Sequence, residues 1–432
     1  MPHRAEGIPS LATQPWFGDA DLGAVFAALE GEGEAVRIVG GAVRNALMGV
    51  PIGDIDIATT ATPAEVTRRA VAAGLKAVPT GIDHGTVTVV SGRHAFEVTT
   101  LREDIETHGR HATVVFGRDW VADAHRRDFT MNALYADPAG HVYDPVGGYE
   151  DILARRVRFI GDAATRISED YLRILRFFRF HAAYGTGEPD RTGLLAAIRL
   201  RSGLRILSAE RIGVEVRRLV TAAGAPETIE IMAEAGILEI VFGGVVRISA
   251  FQRLRAIAEA AGLEASPARA LAVAGCFVEE DGERIADRLR LKNSDRAVMV
   301  GAPRLARAVR VGDTGALLQM LYREGRARAV DAVLAAFAWS GAEPADAGWR
   351  KMLTFVQAHE VPVFPLKGAD ALALGLPSGR AVGRVLSALE EEWVAGGFRQ
   401  TEAALRARLG ELVAAAVAAE KKRGPHRSAT RR

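Results

Sequence analysis

Apolar and polar positions alternate in two different rhythms along this chain. In the first third, short apolar runs are separated by turn residues. Residues 36–39 (VRIV) form a strand candidate running into Gly40-Gly41, and 42–48 read as one short helix stopped by Gly49 and Pro51. Residues 54–58 (DIDIA) alternate with period two, which predicts a strand. Thr62-Pro63 opens a helix to about residue 73. Residues 87–90 and 95–99 flank Ser91-Gly92-Arg93 as a hairpin. A polar stretch, 102–118, has no apolar rhythm and reads as a long loop, a class usually functional or disordered. Beyond Asp144-Pro145 strand signals nearly vanish. From about residue 163 the spacing is helical to the end, with spacers at 184–190, 243–244 and 341–347. The expected fold class is α+β: a small mixed sheet with helices, then an all-α remainder.

The length, 432 residues, fits two to four structural units, and a composition half hydrophobic excludes global disorder. Net charge is only +2, from 55 basic and 53 acidic residues, so a nucleic-acid partner has to be judged from local clustering. Cys276 is the single cysteine. It excludes a disulfide framework and a cysteine-rich zinc site, and in its apolar run it reads as a buried small hydrophobe. No apolar stretch approaches a membrane span and the N-terminus lacks an apolar leader core, so a cytoplasmic protein is expected.

The strongest chemical signal is Asp54 with Asp56. On a strand, i and i+2 share a face, so two carboxylates would stand side by side and repel. A divalent cation removes that penalty, and magnesium suits a few carboxylates plus phosphate oxygens. Two such ions would clamp an in-line displacement. The alternative is a solvent-facing polar strand edge. Context favours the metal: Gly40-Gly41 opens the helix carrying Arg44, and a glycine turn at a helix N-terminus suits a phosphate. Glu97, in the second hairpin strand, is a candidate third acid or an ordinary exposed glutamate.

Five blocks then fall in order between residues 36 and 220: GGAVRNALMG with DIDIAT; LREDIETHGRHATVVF; RRDFTMNALY; DPVGGYEDI; and RISEDYLRILRFFRF followed by LSAERIGVEVRRL. In these the chain resembles the class II tRNA nucleotidyltransferase and poly(A) polymerase family of the polymerase-β-like superfamily. The resemblance implies a template-independent enzyme adding C, C and A to the tRNA 3′ end from CTP and ATP, with two Mg2+ ions. It implies a catalytic head at 21–150 after a lead at 1–20, a neck at 151–222, a body at 223–345 and a tRNA-binding tail at 346–420. It makes Asp54 and Asp56 metal ligands, Gly41 and Arg44 triphosphate contacts, and Arg127 part of the nucleotide site. Asp170, Arg173, Arg176 and Arg179 become the nucleotide-reading helix. The 102–118 loop, with Arg102, Asp104 and Arg110, becomes the flexible segment through which such enzymes change from C to A. Asn45 stands where many members have Asp, and His108 replaces a common acid in that loop.

The residues give the base choice its own rationale. Ser168 is a candidate N-cap, with Glu169 and Asp170 in the first turn. Asp170 accepts hydrogen bonds and Arg173 donates them. Cytosine and adenine both present an amine donor beside a ring-nitrogen acceptor, and uracil and guanine present the reverse. The alternative is a local Asp170–Arg173 salt bridge. Asp128 is a candidate for the ribose hydroxyls or a turn cap, with Arg127 and Asn132 lining the pocket. Phe177, Phe178 and Phe180 read as core. The turn at 375–379 before Arg380 and Arg384, and the basic residues from 421 to 432, are candidate phosphate contacts; the last stretch reads as a solvated, disordered tail. No membrane contact or obligate protein partner is expected. The rivals are an A-only or poly(A) enzyme of the same family and a non-catalytic RNA-binding protein.

Overall fold

The computed structural model describes residues 7–81, 85–108 and 111–423. It divides into two compact units: residues 1–248 with 284–292, and residues 249–283 with 293–432.

The first unit opens with α1 (Ala20–Leu29), capped by the Asp19 carboxylate on the Asp21 and Leu22 N–H groups. Strand β1 (Val36–Val39) leads through Gly40, at φ 73°, into α2 (Gly41–Met48). Then come β2 (Asp56–Thr59), α3 (Pro63–Ala72), β3 (Lys76–Gly81), β4 (Thr86–Ser91) and β5 (His94–Thr100). Thr62 and Pro63 start α3 as expected: the Thr62 hydroxyl accepts from Glu65 N–H, and the proline sits where no helical N–H is needed. A ribbon of β6 (Arg102–His108) and β7 (His111–Phe116), α4 (Trp120–His125), and two-residue strands β8 (Tyr135–Ala136) and β9 (Val142–Tyr143) complete the sheet region.

The main sheet has seven strands in the order β3-β4-β5-β2-β1-β8-β9. Among the described strands only β2 and β5 run parallel, with Asp56 beside Glu97. One face buries Ile38, Ile57, Val87, Val89 and Val98. The other packs Val39, Ala58 and Tyr135 with Trp120 and Ala124 of α4.

Two expectations are corrected. The strand containing Asp56 begins there, not at residue 54. Gly40 turns the chain away after Val39, whose register partner is Asp56, so the β1 ladder stops there and residues 54 and 55 lie beyond it. Residues 102–118 are not a loop: Arg102–Phe116 through His108–His111 pair as a two-stranded antiparallel ribbon outside the main sheet. Backbone pairing needs no apolar face, so hydrophobic periodicity did not report it. Arg110 and the basic residues from 424 onward lie outside the described residues, while Lys421, Lys422 and Arg423, expected in a disordered tail, end the last helix.

Beyond α5 (Gly148–Leu153) the unit is helical: α6 (Ala163–Glu169), α7 (Leu172–Tyr184), α8 (Arg191–Leu200) and α9 (Ala209–Leu219), then α10 (Ala225–Glu234) and α11 (Leu238–Phe242). Phe177 and Phe178 are fully buried and Phe180 nearly so. Phe177 stacks on Phe159 at 5.5 Å and Phe180 lies 5.1 Å from Phe129, so α7 is locked to the segment carrying Arg127 and Asp128. A Cβ at Gly213 would come within 2.0 Å of the Leu289 carbonyl, so α9 presses its back against that backbone. That leaves Arg211, Glu215 and Arg218, spaced at helical intervals, on the side facing α7.

Among the described residues the second unit is all-helical. Its α17 (Arg326–Ser340) is buried along most of its length, which suits its alanine-rich sequence. Helices α20 (Arg380–Ala395) and α21 (Glu402–Arg423) close on Leu389, Trp393, Leu405, Leu409 and Val413. The expected turn does precede Arg380, where Gly379 has φ 131°. Cys276 is fully buried, as its apolar context indicated.

Candidate active site

A cleft of about 580 Å³ in the first unit is lined by Gly40 and Gly41, Arg44, Asp56, Arg127, Asp128, Asn132, Asp170, Arg173, Arg176 and Arg179. It therefore gathers eleven of the residues singled out from sequence. Leu172, Phe180, Tyr184, Arg211 and Arg218 also line it. Seven arginines against three aspartates make it strongly cationic, the field an oligophosphate needs.

At one end is the glycine turn. Positive φ accounts for Gly40. Gly41 has no such reason: an added Cβ there would make only an ordinary 3.7 Å contact with Arg44. The protein does not fill that space, which leaves room for a ligand at the first N–H groups of α2. Arg44, nearly buried, donates to Asn132 Oδ1 (2.5 Å) and Tyr184 OH (2.7 Å), and its guanidinium lies 3.9 Å from the Tyr184 ring centre. Asn45 completes this fixation: its Oδ1 accepts from Arg44 Nε (3.0 Å) and its Nδ2 donates to the Pro51 carbonyl (2.8 Å).

Along the wall, acids and arginines interlock. Asp123 is fully buried and accepts from Arg127 (3.0 Å), Arg126 (2.7 Å) and Tyr135 OH (2.8 Å). Burial would raise its pKa, but the two arginine charges and these bonds hold it below the usual carboxylate value. Asp128 is held low in the same way: burial opposes, but Arg176, Asn132 and the Phe129 N–H outweigh it. Arg176 bonds Asp128, and Arg179 donates to Glu215 (2.5 Å). Arg166 donates to the Arg127 carbonyl (2.7 Å), tying α6 to the same segment.

At the other end, Asp170 is not in a helix's first turn. It closes α6 and caps α7 by accepting from Leu172 N–H (3.2 Å). Ser168 is no N-cap either; it lies in α6 and donates to the Ala164 carbonyl (2.8 Å). A break between helices satisfies Asp170 that a continuous periodicity hides. The local Asp170–Arg173 bridge does not form. Asp170 pairs with Arg211 (2.6 Å), while Arg173 pairs with Glu169 and donates from Nη1 to the Arg166 carbonyl (2.6 Å). Arg173 Nε and Nη2 bond nothing among the described residues, and Asp170 retains free lone pairs.

The acids at the mouth are built differently. Asp56 opens to solvent, yet protein crowds it from the sheet side. That lost hydration, then the Glu97 charge, then Asp54 push its pKa up, and Arg127 only partly offsets them. Asp54 precedes the strand, exposed, and Glu97 is the cross-strand neighbour of Asp56. Neither lines the cleft. Among the described residues, the three-residue set with metal-type donor atoms all within 4.8 Å is instead Asp19, Asp21 and His94. It ties α1 to the β4–β5 hairpin: Asp21 accepts from Ser91 (3.1 Å) and faces His94 Nδ1 at 2.9 Å. Asp54, Asp56 and Glu97 do not form such a set, but the repulsion that raises the Asp56 pKa is the kind a divalent cation shared by carboxylates would relieve.

Sequence reasoning missed Arg211, Arg218 and Tyr184 as cleft residues. The i, i+4, i+7 row of Arg211, Glu215 and Arg218 was the available signal.

Comparison with known proteins agrees with this geometry. Residues 36–158 match the poly(A) polymerase head domain. Over 388 residues the chain is 34% identical to the zebrafish (Danio rerio) protein named CCA tRNA nucleotidyltransferase 1, mitochondrial, with 87% of each chain covered. The chain belongs to the CCA tRNA nucleotidyltransferase family. It is also 41% identical, over 213 residues, to the CCA-adding enzyme of Geobacillus thermodenitrificans, covering 48% of this chain and 51% of that one. Among solved structures it matches the Bacillus stearothermophilus CCA-adding enzyme in complex with CTP, with a TM-score of 0.69 and 27% identity over 93% of this chain and 98% of the other. It is thus a nucleotidyltransferase of mixed head and helical remainder, and no described helix is long and apolar enough to cross a membrane.

Proposed function

We propose that this chain adds C, C and A to the 3′ end of tRNA from CTP and ATP, without a template. The observation that carries the reading is the single cleft joining the glycine turn and Arg44 at one end to Asp170 and Arg173 at the other, with Asp56 at its mouth. A nucleoside triphosphate has the same polarity. Its phosphates would meet the α2 N–H groups and Arg44, and its base would meet Asp170 and the two unused nitrogens of Arg173. Asp128, already held by Arg176, would accept from a ribose hydroxyl.

Asp54 and Asp56, with Glu97 beside them, would hold magnesium, two ions being expected. Bound there, the metal supplies charge neutralisation and a more acidic 3′-hydroxyl. The 3′ oxygen bonds to the α-phosphorus, pyrophosphate leaves, and the hydroxyl proton is lost. The chain's own contribution is orientation and a cationic wall that favours the pentavalent charge distribution over bulk water.

Choice of base follows from hydrogen bonding. Asp170 accepts from the exocyclic amine and Arg173 donates to N3 of cytosine or N1 of adenine. Uracil and guanine would face like groups, at roughly 1–3 kcal/mol of discrimination. The 102–116 ribbon would take part in the change from C to A. The acceptor's backbone would be held without base reading by the N-terminal turn of α20 and the basic end of the chain. Cytoplasmic residence belongs to this reading and rests on a lone, buried cysteine; the vertebrate relative is named as mitochondrial, and fractionation decides.

The test is magnesium-dependent incorporation of each labelled nucleotide into tRNA lacking CCA, CA or A. Two C followed by a single A is expected. Long A tracts on arbitrary RNA would mark a poly(A) polymerase, and no turnover on any substrate a non-catalytic RNA binder.

A further inference from the structure

Arg218 stands apart from the other cations of the cleft. Arg127, Arg173, Arg176, Arg179 and Arg211 each engage a carboxylate, and Arg44 is held by Asn132 and Tyr184. Arg218 lines the same cleft and is exposed, yet no hydrogen bond or ion pair to its guanidinium is found among the described residues. The five carboxylate-paired arginines set the shape of the wall. Arg44 and Arg218 carry the charge that no acid cancels.

Its position says what that charge meets. Helix α9 runs beside α7 in the same direction: Arg211 meets Asp170, and Glu215 meets Arg179. Arg218 is one turn further on. It therefore faces the end of α7 that carries Tyr184, the partner of Arg44. Seven residues of helix separate it from Arg211, about 10 Å along the axis. That distance puts it beyond a base held by Asp170 and at the anionic end of the same ligand.

We propose that Arg218 binds the terminal phosphates of the incoming nucleoside triphosphate, and hence the pyrophosphate that leaves. This rests on the nucleotide polarity proposed above. A guanidinium forks onto two phosphate oxygens. An arginine with no acid to release loses nothing when the phosphate arrives and regains nothing to retain it when pyrophosphate departs.

The experiment is calorimetric titration of the full-length chain, with magnesium, using CTP, CMP and inorganic pyrophosphate. Arg218→Ala should weaken CTP and pyrophosphate alike, by about tenfold, and leave CMP affinity unchanged. Arg218→Lys should recover part of the loss. Pyrophosphate should also inhibit the Ala variant less. Equal weakening of CTP and CMP would overturn the proposal, since the residue would then act through the fold or the base. Unchanged CTP affinity with a raised KM for tRNA would overturn it too and assign Arg218 to the acceptor. If the unaltered chain bound CTP normally while Arg218→Ala matched it, only this inference would fall. If the unaltered chain bound neither CTP nor pyrophosphate, the cleft reading would fall with it.

Discussion

The wall of the cleft and its mouth handle negative charge in opposite ways. Along α7 and α9, Asp128, Asp170 and Glu215 each meet an arginine. On the sheet side Asp123 meets two. At the mouth, Asp56 has Asp54 and Glu97 for neighbours, and its pKa moves up where those of Asp123 and Asp128 move down. In the wall every one of these acids already has an arginine partner with no ligand present. At the mouth the repulsion is offset only in part, by Arg127, and a bound cation would relieve the rest. A rigid reading surface needs the first condition and a metal site needs the second.

The contrast predicts that the mouth can lose its charge without harm to the fold. Asp56→Asn should reduce nucleotide incorporation on the order of a thousandfold, the several kcal/mol of charge stabilisation a bound metal supplies. Its melting temperature without magnesium should not fall. A variant that melted lower, or kept its turnover, would break the comparison.

Changes at the reading end of the wall should be intermediate. Asp170→Ala should cut the preference for CTP and ATP over UTP and GTP by about ten- to a hundredfold, from paired kcat/KM values. Unaltered discrimination would remove the hydrogen-bond rationale. In mid-wall, Glu215→Ala would strand Arg179 and strip a contact from Arg176. It should destabilise the first unit by about 3 kcal/mol, measured by denaturant unfolding, and lower activity indirectly.

The smallest effect is on pH dependence, and its sign separates the two regions. Asp123 and Asp128 have folded pKa values below the ordinary 3.8. Their contribution is complete above that value and lost as pH falls through the folded one. Asp56 is reversed: with a raised folded value, stability declines as pH climbs from 3.8 through that value. The melting-temperature difference between Asp56→Asn and the unaltered chain should grow over that acidic window, level off above it, and shrink on adding magnesium.

Much of this site was legible because its parts are local. The glycine turn needs Gly40 and Gly41 in sequence, and the α7 arginine row needs three-residue steps. The first helix of the hairpin region announced itself through Thr62-Pro63. What escaped was non-local or aperiodic. Asp170, at the break, pairs with Arg211, forty-one positions on, and no window across Ser168 contains that partner. The 102–116 ribbon pairs through its backbone, and charged alternation reads as loop. Alternation across 54–58 is visible in sequence, whereas the end of the β1 ladder at Asp56 is not.

By itself, then, the sequence determined the alternation of a small mixed sheet with helices, the switch to an all-helical remainder, and the residue types required for phosphate, metal and base. Those follow from periodicity and side-chain chemistry, which are properties of short segments. Only the tertiary structure decided which acid faces which arginine. Asp170 went to Arg211 rather than Arg173, Arg179 went to Glu215, Asp56 kept Glu97 as its cross-strand neighbour, and Arg218 has no carboxylate partner among the described residues. Pairing depends on which helix face is turned toward which, and that is set by distant contacts such as Gly213 against Leu289, where the absence of a single side chain lets α9 lie close enough to present its row to the cleft.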